Sequence, residues 1–149
     1  MSTFHFEIAT PERVVYSDDV ESVTVPTVDG EITVLAHHLP LVTVLKAGEL
    51  VIKKGSDTHP YAISGGFLEM NGTKLTVLAD TTEHISEIDE QRAEEARKRA
   101  EELKTKAADN VEYAKIAAQL ERELNRLRIV RKYRHRGHAG ITQEGIRKG

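Results

Sequence analysis

The sequence predicts a β+α chain: a sandwich or flattened barrel of short strands first, then two antiparallel amphipathic helices. Three observations carry this. Up to about residue 82, apolar and polar residues alternate with period two, as in half-buried strands. Gly, Pro, Asn and Asp interrupt that pattern at short intervals, and nothing has βαβ spacing. From "EHISEIDEQRAEEARKRAEELKTKA", residues 83–107, the chain becomes charged, alanine-rich and helical in period. The expected division is a β domain over 1–85, a helical hairpin over 86–133 and a basic, disordered tail over 134–149.

"FHFEIAT" places Phe4, Phe6 and Ile8 on one side of a strand. Further short strands are expected around Val14–Tyr16, Val20–Val25 and Glu31–Leu35, punctuated by Thr10-Pro11, Asp18-Asp19, Pro26 and Asp29-Gly30. "LVTVLKAGELVIKKG" supplies two more, turning at Gly48 and Gly55. Asn71-Gly72, between "FLEM" and "TKLTVLA", predicts a hairpin with a type I′ turn, which needs positive φ at both central residues.

The first helix is expected to start at Ser86 as a cap, with Asp89 three residues on completing a capping-box pattern. Ala93, Ala96, Ala100, Leu103 and Ala107 then form a narrow seam. Glu94–Lys98, Glu95–Arg99 and Glu102–Lys106 are expected i,i+4 pairs. "ADNV" breaks the helix, and Asp109 or Asn110 caps a second one bearing Tyr113, Ala117, Leu120, Leu124 and Leu127, with Ile116 beside them. An alanine methyl contributes about 0.8 kcal/mol on burial, where a leucine contributes about 1.5–3. The hairpin should therefore dock weakly, and a weakly docked element is one that a ligand can move.

The 149 residues carry no Cys and no Trp, so disulfides and thiolate metal sites are excluded and a reducing compartment fits. No apolar run is long enough for a membrane span, and the N-terminus lacks signal-peptide character, which predicts a soluble, intracellular chain. Residues 1–86 hold 5 Lys/Arg and 12 Asp/Glu, a net −7; residues 87–149 hold 16 and 12, a net +4. An acidic β part joined to a basic helical part implies two surfaces with different partners.

No catalytic constellation emerges. Ser64-Gly65-Gly66 lacks the earlier glycine of a nucleophile elbow, and there is no glycine-rich phosphate loop. His37-His38 and the pair His135 and His138 do not make a metal site without cysteines. The basic run Arg126, Arg128, Arg131, Lys132, Arg134, Arg136 has no aromatic platform for nucleic acid, so an acidic protein surface suits it better. In "IDEQRA", residues 88–93, the plain reading is that Asp89 caps and Arg92 pairs with it. The alternative is that Arg92, Arg99, Arg122 and Arg126 converge on a polyphosphate, whose oxygens suit the guanidinium fork.

"TPERVVYSDDVESVTVPTVDGEITVLAHHLPLVTVLKAGEL", then "ISGGFLEMNGTKLTVLADTTE", then a hairpin opening "IDEQRA", resembles the epsilon subunit of bacterial F-type ATP synthase over about residues 3–133. The resemblance implies a ten-stranded β-sandwich followed by an antiparallel two-helix hairpin. It implies a non-catalytic rotor subunit that couples proton flow to ATP synthesis. Its partners would be the gamma subunit, the ring of c subunits and the alpha/beta catalytic head, with no nucleic acid, at the cytoplasmic face of the membrane and touching it only through the ring. Glu31 and His38 are the implied ring contacts, His37 standing where the family has Gly and Leu39 where it has Ala. Arg122, Arg126, Arg128, Arg131 and Lys132 match the basic helix that reaches the beta subunit and blocks hydrolysis. Ile88, Asp89, Arg92 and Ala93, with Arg99, Arg122 and Arg126, match a motif that in some members binds ATP as a regulatory ligand; no cofactor is required. The alternative is a free-standing adaptor whose basic helix binds nucleic acid or an acidic protein.

Overall fold

The computed structural model of the chain describes residues 2–135. Its elements are β1 (Phe4–Ala9), β2 (Val14–Val20), β3 (Ser22–Thr27), β4 (Gly30–Leu35), β5 (Leu41–Lys54), β6 (Asp57–Met70), β7 (Lys74–Ala79), β8 (Thr82–His84), a 3-10 turn (Ile85–Glu87), α1 (Glu90–Thr105) and α2 (Asn110–His135). The strands join in the order β2-β1-β7-β6-β5-β3-β4, with β8 added to β6. β5 and β6, each 14 residues long, serve both layers of a sandwich. The first half of β5 and the second half of β6 lie with β7 and β1; their other halves lie with β3 and β8. This is why eight strands form where ten were expected: two strands bend through both layers unbroken, and their ladder skips only Lys46 and Gly65 at the bend.

The bend depends on glycine. Gly66 has φ 142, and a Cβ there would lie 2.0 Å from the Leu78 carbonyl oxygen of β7. Between the layers lie Phe6, Ile8, Tyr16, Val20 and Val23 from the first three strands, with Leu50, Ile52, Ile63, Leu68, Leu75 and Val77 from the later ones, all buried in one cluster. On the outer face a different row is bare. Val44, Phe67 and Leu78 are register partners across β5, β6 and β7, and they are 43%, 57% and 56% exposed.

The Asn71-Gly72 connection differs from a type I′ turn. Only Gly72 has positive φ; Asn71 instead turns the chain with its side chain, whose Oδ1 accepts the Thr73 and Lys74 N–H groups. α1 also begins later than expected. Asp89, not Ser86, is its N-cap, accepting the Arg92 N–H at 3.1 Å, while Ser86 sits in the 3-10 turn capped by His84. Asp109 caps α2 through the Glu112 N–H at 2.8 Å. Arg134 and His135 belong to α2 rather than to a disordered tail, and residues 136–149, Arg136 and His138 among them, lie outside the described residues.

The helical seam is narrower than its spacing suggested. Ala93 and Ala100 are buried, Ala100 against Ile116 and Leu120, whereas Leu103, Tyr113 and Leu124 stay about half exposed. The reason is a second demand on α2: it must also lie on the sandwich, where Ile129 and Tyr133 pack on Ala62 and Ile85. That demand takes part of the apolar surface of α2, and Leu124 stays half exposed, while Tyr113 meets α1 only at the Lys104 ammonium over its ring. The three expected i,i+4 pairs give way to Arg97, which bonds Glu94 at 2.5 Å and Glu101 at 2.8 Å.

Candidate functional site

Where β8, the 3-10 turn, α1 and α2 meet, they enclose a cleft of about 410 Å³. Ile88, Asp89, Arg92, Ala93, Arg99 and Arg126 all line it, so residues 38 positions apart in the chain come to one place. Arg122 lines an adjoining hollow of about 220 Å³, which shares Ala96, Arg99 and Glu123 with the first. The N-cap role of Asp89 and its 3.8 Å pair with Arg92 coexist with this convergence, since both residues remain on the cleft rim with exposed side chains.

Arg126 is not idle. Its guanidinium is held by Glu83 of β8 and, at 2.8 Å, by Glu123 one turn earlier on α2. Glu123 is buried, and burial pushes its carboxyl up from the ordinary range against the opposing pull of Arg122 and Arg99. Its Oε2 and the Nε of Arg122 are both buried without a hydrogen-bond partner. The cleft wall thus carries a carboxylate oxygen, and the adjoining hollow a guanidinium N–H, that the chain does not satisfy. Glu83, Glu87 and Glu123 were not expected at this site. Glu123 was detectable in principle by its spacing from Arg126, but Glu83 reaches the cleft only because β8 lies under α2.

The basic run on α2 is largely engaged by the chain itself. Arg131 donates to Glu90 at 3.1 Å and to Glu94 at 3.2 Å, and Lys132 to Glu49 at 2.9 Å. Arg134 bonds Glu90, and Arg128 donates to Asn125 at 2.5 Å. Glu31 and His38 are not neighbours: Glu31 lies at the start of β4, an edge strand, and His38 three residues beyond its end. His37 adopts φ 64, a left-handed turn conformation. Leu39 and Val28, at the same two turns, are 79% and 57% exposed. Among the described residues no group of three or more His, Asp or Glu is placed to hold a metal ion.

A β-sandwich with a hairpin docked on it, and an arginine-lined cleft between them, is the class of protein that the geometry defines. The chain belongs to the ATP synthase delta/epsilon family: the family's beta-sandwich domain matches residues 3–85 and its long alpha-helix domain residues 86–131. An ATP synthase epsilon chain from Chloroflexus aggregans is 46% identical over 125 residues, 84% of this chain and 90% of that one. One from Herpetosiphon aurantiacus is 44% identical over 130 residues, 87% and 96% of the two chains. Among solved structures, a chain of the Euglena gracilis mitochondrial ATP synthase superposes with TM-score 0.70 at 23% identity, over 81% of this chain and 77% of that one. A chain of the Tetrahymena thermophila central stalk and c-ring does so with TM-score 0.57 at 11% identity, over 87% and 97%. These two likenesses establish the fold.

Proposed function

We propose that this chain is a central-stalk rotor subunit of a proton-translocating ATP synthase, non-catalytic itself, which restrains ATP hydrolysis through a movable helical arm gated by ATP. The sandwich anchors it on the gamma subunit and the c ring. The apolar row Val44, Phe67 and Leu78 is the surface offered to gamma, because three large side chains left bare on adjacent strands favour a partner over water. The edge strand β4, with Glu31, His38, Val28 and Leu39, meets the ring. The chain sits peripherally at the cytoplasmic face of the bacterial membrane, and no helix among the described residues is long and apolar enough to cross it.

The observation that carries the regulatory part is the cleft, in which the arginines and the "IDEQRA" residues converge beside an unsatisfied Arg122 N–H. ATP bound there bridges α1, α2 and β8 and holds the arm down. In this docked state Arg126, Arg131 and Lys132 are neutralised by Glu83, Glu90, Glu94 and Glu49. Released, the same cations, with Arg122 and Arg128, face an acidic segment of the beta subunit. The exchange of carboxylate partners costs little, so a ligand can decide it: at 100 times its dissociation constant it contributes about 2.7 kcal/mol.

The test is ATP hydrolysis by a catalytic head reconstituted with the full chain or with one ending at Glu87, which keeps β8 and the 3-10 turn. Inhibition by the full chain alone, relieved by rising ATP and no longer relieved in Arg92→Ala or Arg99→Ala, is the expected result. Equal activity with both chains would leave only the anchoring role.

A further inference from the structure

Most of what holds α2 to the sandwich is tolerant of sliding. The apolar contacts of Ile129 and Tyr133 are non-directional; Arg126 and Lys132 reach Glu83 and Glu49 on long, flexible stems, and the Tyr133 hydroxyl donates to the same flexible Glu49 carboxylate. One contact is different. Asn125 is 5% exposed, and its Nδ2 donates to the main-chain carbonyls of Gly48 at 3.3 Å and Ile63 at 3.2 Å. These two residues are register partners on β5 and β6, close to where the paired strands bend. Oδ1 of the same amide accepts from Arg128 at 2.5 Å. The orientation of the amide is fixed by chemistry: carbonyls can only accept and a guanidinium can only donate, so the nitrogen faces the sheet. A slip of α2 by one turn, about 5.4 Å, would carry this group off both carbonyls and leave buried polar atoms unpaired.

We propose that Asn125 is a positioning residue whose amide, seated on the Gly48 and Ile63 carbonyls, sets the single register in which α2 lies on the sandwich and so places Arg126 at the cleft and Arg122 at the hollow beside it. Arg122 precedes it by three residues and Arg126 follows it by one, so register and cleft geometry are one variable. The argument follows the same physics by which a lone buried Asn fixes register between helices at some cost in stability. Its consequence for the nucleotide rests on the ATP reading above; the register claim does not.

The chain has no cysteine among its own residues, so two introduced at exposed Lys53 and Ala118 can carry spin labels, and the distance between them reports the position of α2 on β5. The unsubstituted background is expected to give one narrow docked distance. Asn125→Leu and Asn125→Ala, the second leaving room for water on the carbonyls, are expected to add a second docked distance, displaced by about one helical turn. ATP should restore the first distance, with a midpoint raised about tenfold, because binding must now select the competent register. A single unchanged distance in both variants overturns the proposal. So does simple loss of docking with no second docked distance, which would mean that Asn125 adds strength and not register. If ATP moves nothing in the background chain, the nucleotide reading fails, while the distances without ATP still decide the register.

Discussion

His84 and Gly66 each concentrate a tertiary demand in one residue. His84 is fully buried, its Nδ1 accepts the Ser86 N–H that opens the 3-10 turn, and its ring meets Tyr61 edge-on at 5.1 Å between centroids. Burial, with His59 beside it, pushes its pKa from 6.5 down to about 4. The unfolded chain therefore takes up a proton between about pH 6.5 and 4 that the folded chain refuses, so stability falls as pH drops through that window and levels below it. The span corresponds to about 3 kcal/mol. Melting curves across pH 7 to 4 should show this loss, and His84→Asn, which keeps a cap acceptor, should flatten the part due to the imidazole. Gly66→Ala should lower the melting temperature sharply at any pH, since the added Cβ meets β7 backbone at a left-handed φ. Neither residue announces itself in sequence: a histidine in "TTEHIS" reads as surface, and only the pairing of β8 with β6, against Tyr61 and His59, buries it.

At the scale of elements, α2 answers to two neighbours at once, and this explains where the seam read from spacing holds and where it does not. Ala100 sits on the α1–α2 contact and Ala93 is buried, but Leu103, Tyr113 and Leu124 are half exposed, Tyr113 meeting α1 through the Lys104 ammonium over its ring, while Ile129 and Tyr133 face the sandwich. A sequence period identifies an apolar stripe; it does not say which of two partners receives each part of it. Ala100→Leu should overpack against Ile116 and Leu120, costing about 1–3 kcal/mol of docking. Leu103→Ala should cost less than about 0.5 kcal/mol. Amide hydrogen exchange along α1 distinguishes the two, with protection lost in the first variant and kept in the second. The reverse pattern would restore the seam drawn from spacing.

For the whole molecule, the proposed function divides between a rigid body and a releasable one. Phe67→Glu on the bare outer row should abolish co-purification with gamma while leaving the melting temperature within a degree or two, because the side chain is already in water. Loss of stability without loss of assembly would move the interface elsewhere. The sequence by itself determined the β-then-α order, the caps available at Asp89 and Asp109, the split in charge and the motif "IDEQRA", because period, cap chemistry and composition are local properties. Tertiary structure alone decided that two strands run unbroken through both layers and that Arg126 answers to Glu83. It also decided that Asn125 lies on the carbonyls of residues 48 and 63. The side-chain contacts of Arg126 and Asn125 join residues 43 to 77 positions apart, and only the path of the folded chain selects such partners.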